Sequence, residues 1–153
     1  MTRLALRVPP IVVLAVFVII MRYAALFFPF LTLKSDLHFS VPVLVALSGL
    51  FLILISSIIF YRRGTTLNPL KPQLASILVT SGPYRYSRNP IYIGLVLILA
   101  GWGVYLQNPA SIFCVLVFVL YINRFQILPE EELLAQKFGV EFEIYKFSVN
   151  RWL

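Results

Sequence analysis

Residues with chemically useful side chains crowd the stretch SGPYRYSRNPIYIG, which lies directly before an apolar segment. Its tyrosines and arginines are Tyr84, Tyr86, Tyr92, Arg85 and Arg88. A tyrosine ring can hold a cation against its face, and an arginine can bind an anion such as a carboxylate. These residue types indicate a site for a charged ligand. Each tyrosine alone could equally belong to the aromatic belt of a membrane interface.

A second polar cluster follows Pro129, where Glu130, Glu131 and Glu132 open the segment EEELLAQKFGVEFEIYKFSVNRWL. A carboxylate can pair with an ammonium group. Acidic side chains also stabilise the positive end of a helix dipole, which is a sufficient structural reason for all three. Apolar residues then recur every three or four positions, at Leu134, Phe138, Phe142, Tyr145 and Val149. That spacing predicts an amphipathic helix on the cytoplasmic surface or packed back on the protein.

The rest of the chain consists mainly of apolar segments that must position these clusters. Of its 153 residues, 60% are hydrophobic and 12% are charged; a soluble domain carries about a quarter charged residues. Four windows are long enough to cross a bilayer as helices, at about residues 11–33, 41–61, 90–107 and 109–128. The sequence therefore predicts an all-α, polytopic membrane helical bundle, forming a single domain over residues 1–153.

The third and fourth windows are separated only by the turn QNP, so they must pack as an antiparallel hairpin. This geometry brings the residues before the third span close to those after the fourth, and so joins the two polar clusters. Asn89 and Pro90 also have a plain structural role, since asparagine caps helices and proline suits the first helical position. The pairs Asn108–Pro109 and Asn68–Pro69 repeat the pattern.

The basic residues predict which side of the membrane the clusters face. The loop between the second and third windows is rich in arginine and lysine, whereas the turn after the third window has neither. By the positive-inside rule, both termini and the polar clusters are cytoplasmic, in the inner membrane if the protein is bacterial. The net charge of +7 fits attraction to lipid headgroups rather than nucleic-acid binding. No cleaved signal peptide, metal site or intramolecular disulfide of Cys114 is expected.

Two arginines, Arg22 and Arg124, lie inside or near predicted spans. An arginine is costly in lipid and is therefore a candidate functional residue. Either could also reach the interface with its long side chain, and Arg124 is close enough to do so.

The segments SILVTSGPYRYSRNPIYIG and PEEELLAQKFGVEFEIYKFSVNRWL together resemble the superfamily of membrane methyltransferases that contains isoprenylcysteine carboxyl methyltransferases and phospholipid N-methyltransferases. The resemblance covers about residues 76–152. It rests on an Arg-(His or Asn)-Pro-x-Tyr box paired with a downstream Glu-Glu and Phe-Gly box. It implies an enzyme that binds S-adenosylmethionine at the cytoplasmic end of the hairpin and methylates a lipophilic acceptor, either an isoprenylcysteine-like carboxylate, a phospholipid amine or another small hydrophobic molecule.

The resemblance also implies roles for individual residues. The implied cofactor-binding residues are Ser76, Ile77, Leu78, Val79, Tyr84, Arg88, Asn89, Pro90, Tyr92 and Glu130. Glu130 suits the cofactor's ammonium, a tyrosine face suits its sulfonium, and Arg85, Arg88 or the N-terminus of the third span suits its carboxylate. Glu131, as a base for an amine acceptor, and Asn89 are the catalytic candidates.

Two positions depart from the prenylcysteine enzymes. Asn89 replaces a histidine and cannot titrate, and Gln126 replaces a substrate-binding arginine. The identity of the acceptor and the oligomeric state are left open. Two other hypotheses remain. One is a reductase that uses NADPH, since membrane sterol reductases share a similar Arg-His-Pro-x-Tyr box; the other is a small scaffold or transporter without enzymatic activity.

Overall fold

The computed structural model describes residues 6–33, 38–64, 70 and 72–153, apart from the side chain of Gln73. The α-helices are α1 (Pro10–Phe27), α2 (Ser40–Arg62), α3 (Pro90–Leu106), α4 (Pro109–Ile122), α5 (Leu128–Phe138) and α6 (Val140–Ser148). Short 3₁₀ turns lie at Pro29–Leu31, Pro72–Leu74 and Gly82–Arg85, and a π-helical segment at Asn123–Ile127. Within the described ranges there is no strand, so the all-α prediction is confirmed. The pair Asn68–Pro69, named above, lies outside these ranges.

The helices match the four predicted windows, with the ends of the first and the fourth changed. Three helical stretches are long and apolar enough to cross a membrane, Pro10–Phe27, Ser40–Arg62 and Pro109–Phe138, and the shorter apolar α3 has 17 residues. The first helix ends at Phe27 rather than near residue 33. Pro29 explains the difference, because proline lacks an N–H and disfavours helical geometry in the residue before it. The chain is thus a helical bundle of the integral-membrane type.

The predicted end of the fourth window near residue 128 is wrong, because the helix continues through Pro129. In the π segment, Leu128 N donates to the carbonyl of Asn123, five residues earlier. Pro129 has no N–H to give the carbonyl of Phe125, and Leu6 N donates to that oxygen instead at 3.1 Å. The stretch Pro109–Phe138 has 30 residues, about 45 Å of helix. Hydrocarbon is about 30 Å thick, so the charged end of this helix stands outside it.

The predicted amphipathic tail is two helices rather than one. Gly139 has a φ of 52°, a left-handed conformation that glycine adopts without a steric penalty, and it separates α5 from α6. Phe142 and Tyr145 on α6 are buried, at 2% and 7% exposure. The tail is therefore packed back on the protein, which was one of the two arrangements predicted for it.

Glycines bring the backbones of α2 and α3 together. A Cβ atom on Gly94 would lie 2.6 Å from the carbonyl oxygen of Gly49, and one on Gly101 would lie 2.6 Å from that of Pro42. Membrane helices commonly associate through such small residues. Buried side chains of α1, α3 and α4 form the core: Val13, Leu14, Phe17, Met21, Leu95, Leu99, Phe118 and Ile122.

Polar bonds fix the orientation of α1 against α3 and α4. Trp102 Nε1 donates to the carbonyl of Val18 at 3.1 Å, and Ser111 Oγ donates to that of Met21 at 2.7 Å. The α3–α4 turn is as short as predicted, with Gln107 at a φ of 50°. The hairpin therefore holds the start of α3 beside the C-terminal part of the helical stretch Pro109–Phe138.

Candidate active site

The two polar clusters meet at the start of α3, as the hairpin predicts. The hydroxyl of Tyr92 donates a hydrogen bond to Oε2 of Glu130 at 3.0 Å. These residues are 38 positions apart in sequence. The prediction that the first polar cluster lies beside the acidic one is confirmed.

The carboxylate of Glu130 has no cationic partner in the described part of the chain. The salt bridges there involve Glu131 and Glu143. Although Glu130 is only half-buried as a residue, burial of its carboxyl group raises its pKa to about 7; the bond from Tyr92 lowers the pKa and the charge of Glu131 raises it further. Glu130 is thus a poorly compensated acid that suits a positively charged group.

Tyr84 forms the neighbouring wall. Its ring is buried at 6% exposure and packs against Phe60, with centroids 5.2 Å apart. Its carbonyl accepts a 2.7 Å bond from the hydroxyl of Tyr145. Burial, followed by the charge of Glu130, raises the pKa of the Tyr84 hydroxyl. Tyr84 therefore stays protonated and lies within electrostatic reach of Glu130.

Glu131, the next residue, is in the opposite electrostatic situation. Its Oε1 accepts from Arg88 Nη2 at 2.8 Å, and its Oε2 accepts from Arg151 Nη2 at 2.6 Å. Burial raises the pKa of Glu131, but the hydrogen bonds and charges of Arg151 and Arg88 outweigh burial and lower it. An ionised carboxylate bonded at both oxygens is a weak proton acceptor.

The residues around Glu131 form what we call the tail clasp: Ser87, Arg88, Asn89, Glu131 and Arg151. Arg88 Nη1 donates to the carbonyls of Lys146 and Val149 at 3.0 and 2.6 Å. Ser87 Oγ and Asn89 Nδ2 donate to the carbonyl of Arg151 at 3.2 and 3.0 Å. The loop before α3 thereby holds the end of the chain over the site.

The predicted side-chain cap from Asn89 is wrong, although Asn89 occupies the N-cap position of α3. Its side chain makes no cap hydrogen bond, and its Nδ2 bonds Arg151 instead. The equivalent prediction for Asn108 is confirmed, because its Oδ1 accepts from Ala110 N at 3.0 Å. Asn89 is buried next to a carbonyl that needs a donor, whereas Oδ1 of Asn108 is left to face its own helix.

The remaining predicted residues are Pro90 and the segment 76–79. Pro90 is buried at the start of α3. Ser76, Ile77, Leu78 and Val79 form an irregular segment in which Ser76 and Ile77 are exposed and Val79 is buried. The turn Pro72–Leu74 just before it contacts α5, the helix that carries Glu130. The segment therefore flanks the site on the side of α5.

Sequence reasoning missed the contributions of Asn123, Tyr145 and Arg151. Arg151 Nη1 donates to Asn123 Oδ1 at 3.2 Å. Tyr145 was recognised only as part of an apolar stripe, and nothing in the pattern around Arg151 predicts its partner. Among the residues that the structure describes, no group of three or more His, Cys, Asp or Glu is placed to hold a metal ion.

A family model for phospholipid methyltransferases matches residues 37–141. Over 63 residues, the chain is 46% identical to an uncharacterized protein of Haemophilus influenzae, covering 41% of this chain and 100% of that protein. Over 74 residues it is 42% identical to protein-S-isoprenylcysteine O-methyltransferase A of Arabidopsis thaliana, covering 47% of this chain. A probable protein-S-isoprenylcysteine O-methyltransferase of rice, Oryza sativa subsp. indica, is 39% identical over 79 residues, or 50% of this chain.

The matched region spans only 36% of the Arabidopsis protein and 40% of the rice protein. No solved structure matches the chain.

Proposed function

Since this chain belongs to the phospholipid methyltransferase family, we propose that it is a membrane methyltransferase that uses S-adenosylmethionine to methylate a lipophilic acceptor. The single observation that carries the cofactor proposal is the contrast between Glu130 and Glu131. Glu131 is neutralised by two arginines, whereas Glu130 has no cation among the described residues. A half-buried carboxylate without a cation suits the ammonium group of this cofactor.

The other groups around Glu130 fit the cofactor as well. The hydroxyl of Tyr92 donates to this carboxylate and Tyr84 lies within its electrostatic reach; a tyrosine ring is a group that attracts cations. Arg85 is exposed and forms no ion pair with a described residue, so it is available for a carboxylate. When bound, S-adenosylmethionine would supply an electrophilic methyl group on a sulfonium. The chain's own residues would hold the reactants in line and exclude water.

Glu131 and Asn89 are better suited to positioning than to proton transfer. Both are engaged in the tail clasp, and the pKa of Glu131 is lowered. An acceptor that arrives ionised, such as a carboxylate, needs no base. The acceptor is proposed to be lipophilic because the site lies at one end of helices apolar enough to cross a membrane. Both isoprenylcysteine-like carboxylates and phospholipid amines belong to that class.

The site and both termini are proposed to face the cytoplasm. α1, α2, α3 and the helix that starts with α4 give an even number of crossings. The loop before α3 carries Arg62, Arg63, Arg85 and Arg88, which the positive-inside rule assigns to that face.

Calorimetric binding of S-adenosylmethionine to the detergent-purified protein tests the proposal. Glu130→Gln should weaken binding at least about tenfold, since a hydrogen bond to a charged group contributes about 1.5–3 kcal/mol. Glu132→Gln is the matched control, because Glu132 is exposed on the same helix. It should bind as the wild type does.

S-adenosylhomocysteine and NADPH are measured alongside. Binding of NADPH but not of S-adenosylmethionine would favour the reductase-like function. Absence of binding by all three would favour the scaffold. Equal affinities for the wild type, Glu130→Gln and Glu132→Gln would reject Glu130 as the ammonium ligand.

A further inference from the structure

A cavity lies at the opposite end of α3 from the candidate active site. It has a volume of about 350 Å³, and its described lining comprises Arg22 of α1, Phe39 and Pro42 at the start of α2, the last three residues of α3 (104–106) and Gln107 just after it. Tyr92 of the active site is in the first turn of the same helix. The proposed methyltransferase site does not use this cavity.

Among the described residues that line the cavity, Arg22 is the only cation, and it has no acidic partner there. It lies within α1, one of the helices apolar enough to cross a membrane. Within the described ranges, Arg22 takes part in none of the ion pairs. Five of the six acidic residues of the sequence fall between Glu130 and Glu143, at the other end of the molecule; the sixth, Asp36, lies outside the described residues. An arginine in this setting needs an anion from elsewhere.

Apart from Gln107, the other described residues of the lining are aromatic or apolar. The ring of Tyr105 stacks on Trp102 with centroids 5.2 Å apart and meets Phe39 edge-on at 5.8 Å. Tyrosine and tryptophan concentrate at the level of lipid headgroups. The cavity therefore combines an arginine with aromatic rings of the kind found at the level of lipid headgroups.

We propose that this cavity binds the phosphate of a membrane phospholipid, with Arg22 as its ligand and the acyl chains against the apolar surfaces of α1 and α2. Guanidinium groups bind phosphate through paired, charge-assisted hydrogen bonds. The volume falls in the range of about 300–1,000 Å³ that is usual for small-molecule sites. Free phosphate shares the same chemistry but lacks the chains, so the two sources can be distinguished experimentally.

The test measures the thermal stability of the purified protein in detergent with added phosphatidylglycerol or with inorganic phosphate. A lipid that binds the folded state should raise the melting temperature, and bound phosphorus per protein should fall at least about threefold in Arg22→Gln. Arg22→Lys keeps the charge and should retain part of the shift. Arg124→Gln is the matched control, because Arg124 is an exposed arginine near a span that does not line the cavity.

Loss of the lipid-induced shift in Arg22→Gln, with the shift kept in Arg124→Gln, supports the proposal. An equal shift in both variants overturns it, and so does an equal shift from inorganic phosphate, which would make this a simple anion site. Binding of S-adenosylmethionine should be unchanged in Arg22→Gln, so failure here is distinguishable from failure of the proposed active site.

Discussion

Glu130 and Glu131 are neighbours in sequence, but their electrostatic environments are opposite. Glu131 is bound by Arg88 and Arg151, whereas Glu130 accepts a single described hydrogen bond, from Tyr92. Successive helical residues point about 100° apart, so the side chain of Glu131 reaches the tail clasp while that of Glu130 reaches Tyr92. Glu131 therefore stabilises the structure, whereas Glu130 is left to bind a ligand.

The raised pKa of Glu130 predicts a pH dependence of cofactor affinity. With a pKa of about 7, the carboxylate is protonated as pH falls below 7, and its attraction for an ammonium group is lost. From pH 5.5 to 7.0 the ionised fraction rises about fifteenfold, while the cofactor's ammonium stays charged. If the protonated form binds about tenfold more weakly, as expected for Glu130→Gln, the affinity for S-adenosylmethionine should rise about fourfold over this interval, as measured by calorimetry.

Glu130→Gln should abolish this pH dependence as well as weaken binding. A pH profile that persists unchanged in Glu130→Gln would assign the titration to another group.

At the level of single residues, the sequence predicts which side chains lie close together better than it predicts which hydrogen bonds they form. Tyr92 and Glu130 could be placed together because a two-residue turn leaves the α3–α4 hairpin almost no freedom. The side-chain partners of Asn89 and Arg88 could not be predicted. They depend on carbonyls near the chain end, and any hydrogen-bond donor within reach can satisfy a buried carbonyl.

Among the elements, the helix from Pro109 to Phe138 and the tail behind it differ most from expectation. Proline normally ends a helix, yet the π segment Asn123–Ile127 accommodates Pro129 while Leu6 supplies the missing donor. The rule that proline ends a helix failed here because Leu6, far away in sequence, donates to the carbonyl of Phe125 that Pro129 leaves without a donor. Gly139 was a usable signal for a helix end that the apolar periodicity obscured.

Glu131→Gln should loosen the tail that this element positions. Removing a buried charge leaves Arg88 and Arg151 without their anion, at a cost of about 2–4 kcal/mol in unfolding free energy. Chymotryptic cleavage near the exposed Phe147 should accelerate, and the unfolding midpoint in detergent should fall.

Glu143→Gln is the control for this change. It breaks the exposed pair with Lys146, at 3.1 Å, which should alter stability by under about 0.5 kcal/mol. Equal proteolysis of the two variants would mean that the tail clasp does not hold the tail.

For the molecule as a whole, the close approach of α2 and α3 sets the shape of the bundle. Gly94→Ala would place its Cβ atom 2.6 Å from the carbonyl oxygen of Gly49 and 2.5 Å from Ile53 Cγ1. Separating the helices should cost more than the helix propensity that alanine gains, with a net loss of about 1–2 kcal/mol. The measurement is reversible unfolding in mixed micelles.

Gly103→Ala, on the same helix, provides the comparison. Its Cβ atom would meet the flexible end of Met21 at 3.2 Å, so the variant should be neutral or slightly stabilised. If Gly94→Ala is as stable as Gly103→Ala, the glycine contact is not what fixes the α2–α3 distance.

The length of α3 also has a consequence for the membrane around the protein. Its 17 residues span about 25 Å, whereas the 23 residues of α2 span about 35 Å, and the hydrocarbon layer is about 30 Å thick. Such a hydrophobic mismatch is relieved when the bilayer thins locally, at a modest cost for each ångström. Thinning would draw the headgroups of both leaflets toward the ends of α3, where the candidate active site and the Arg22 cavity lie. Bilayer thickness would then set how far an acceptor must travel to meet Tyr92 and Glu130.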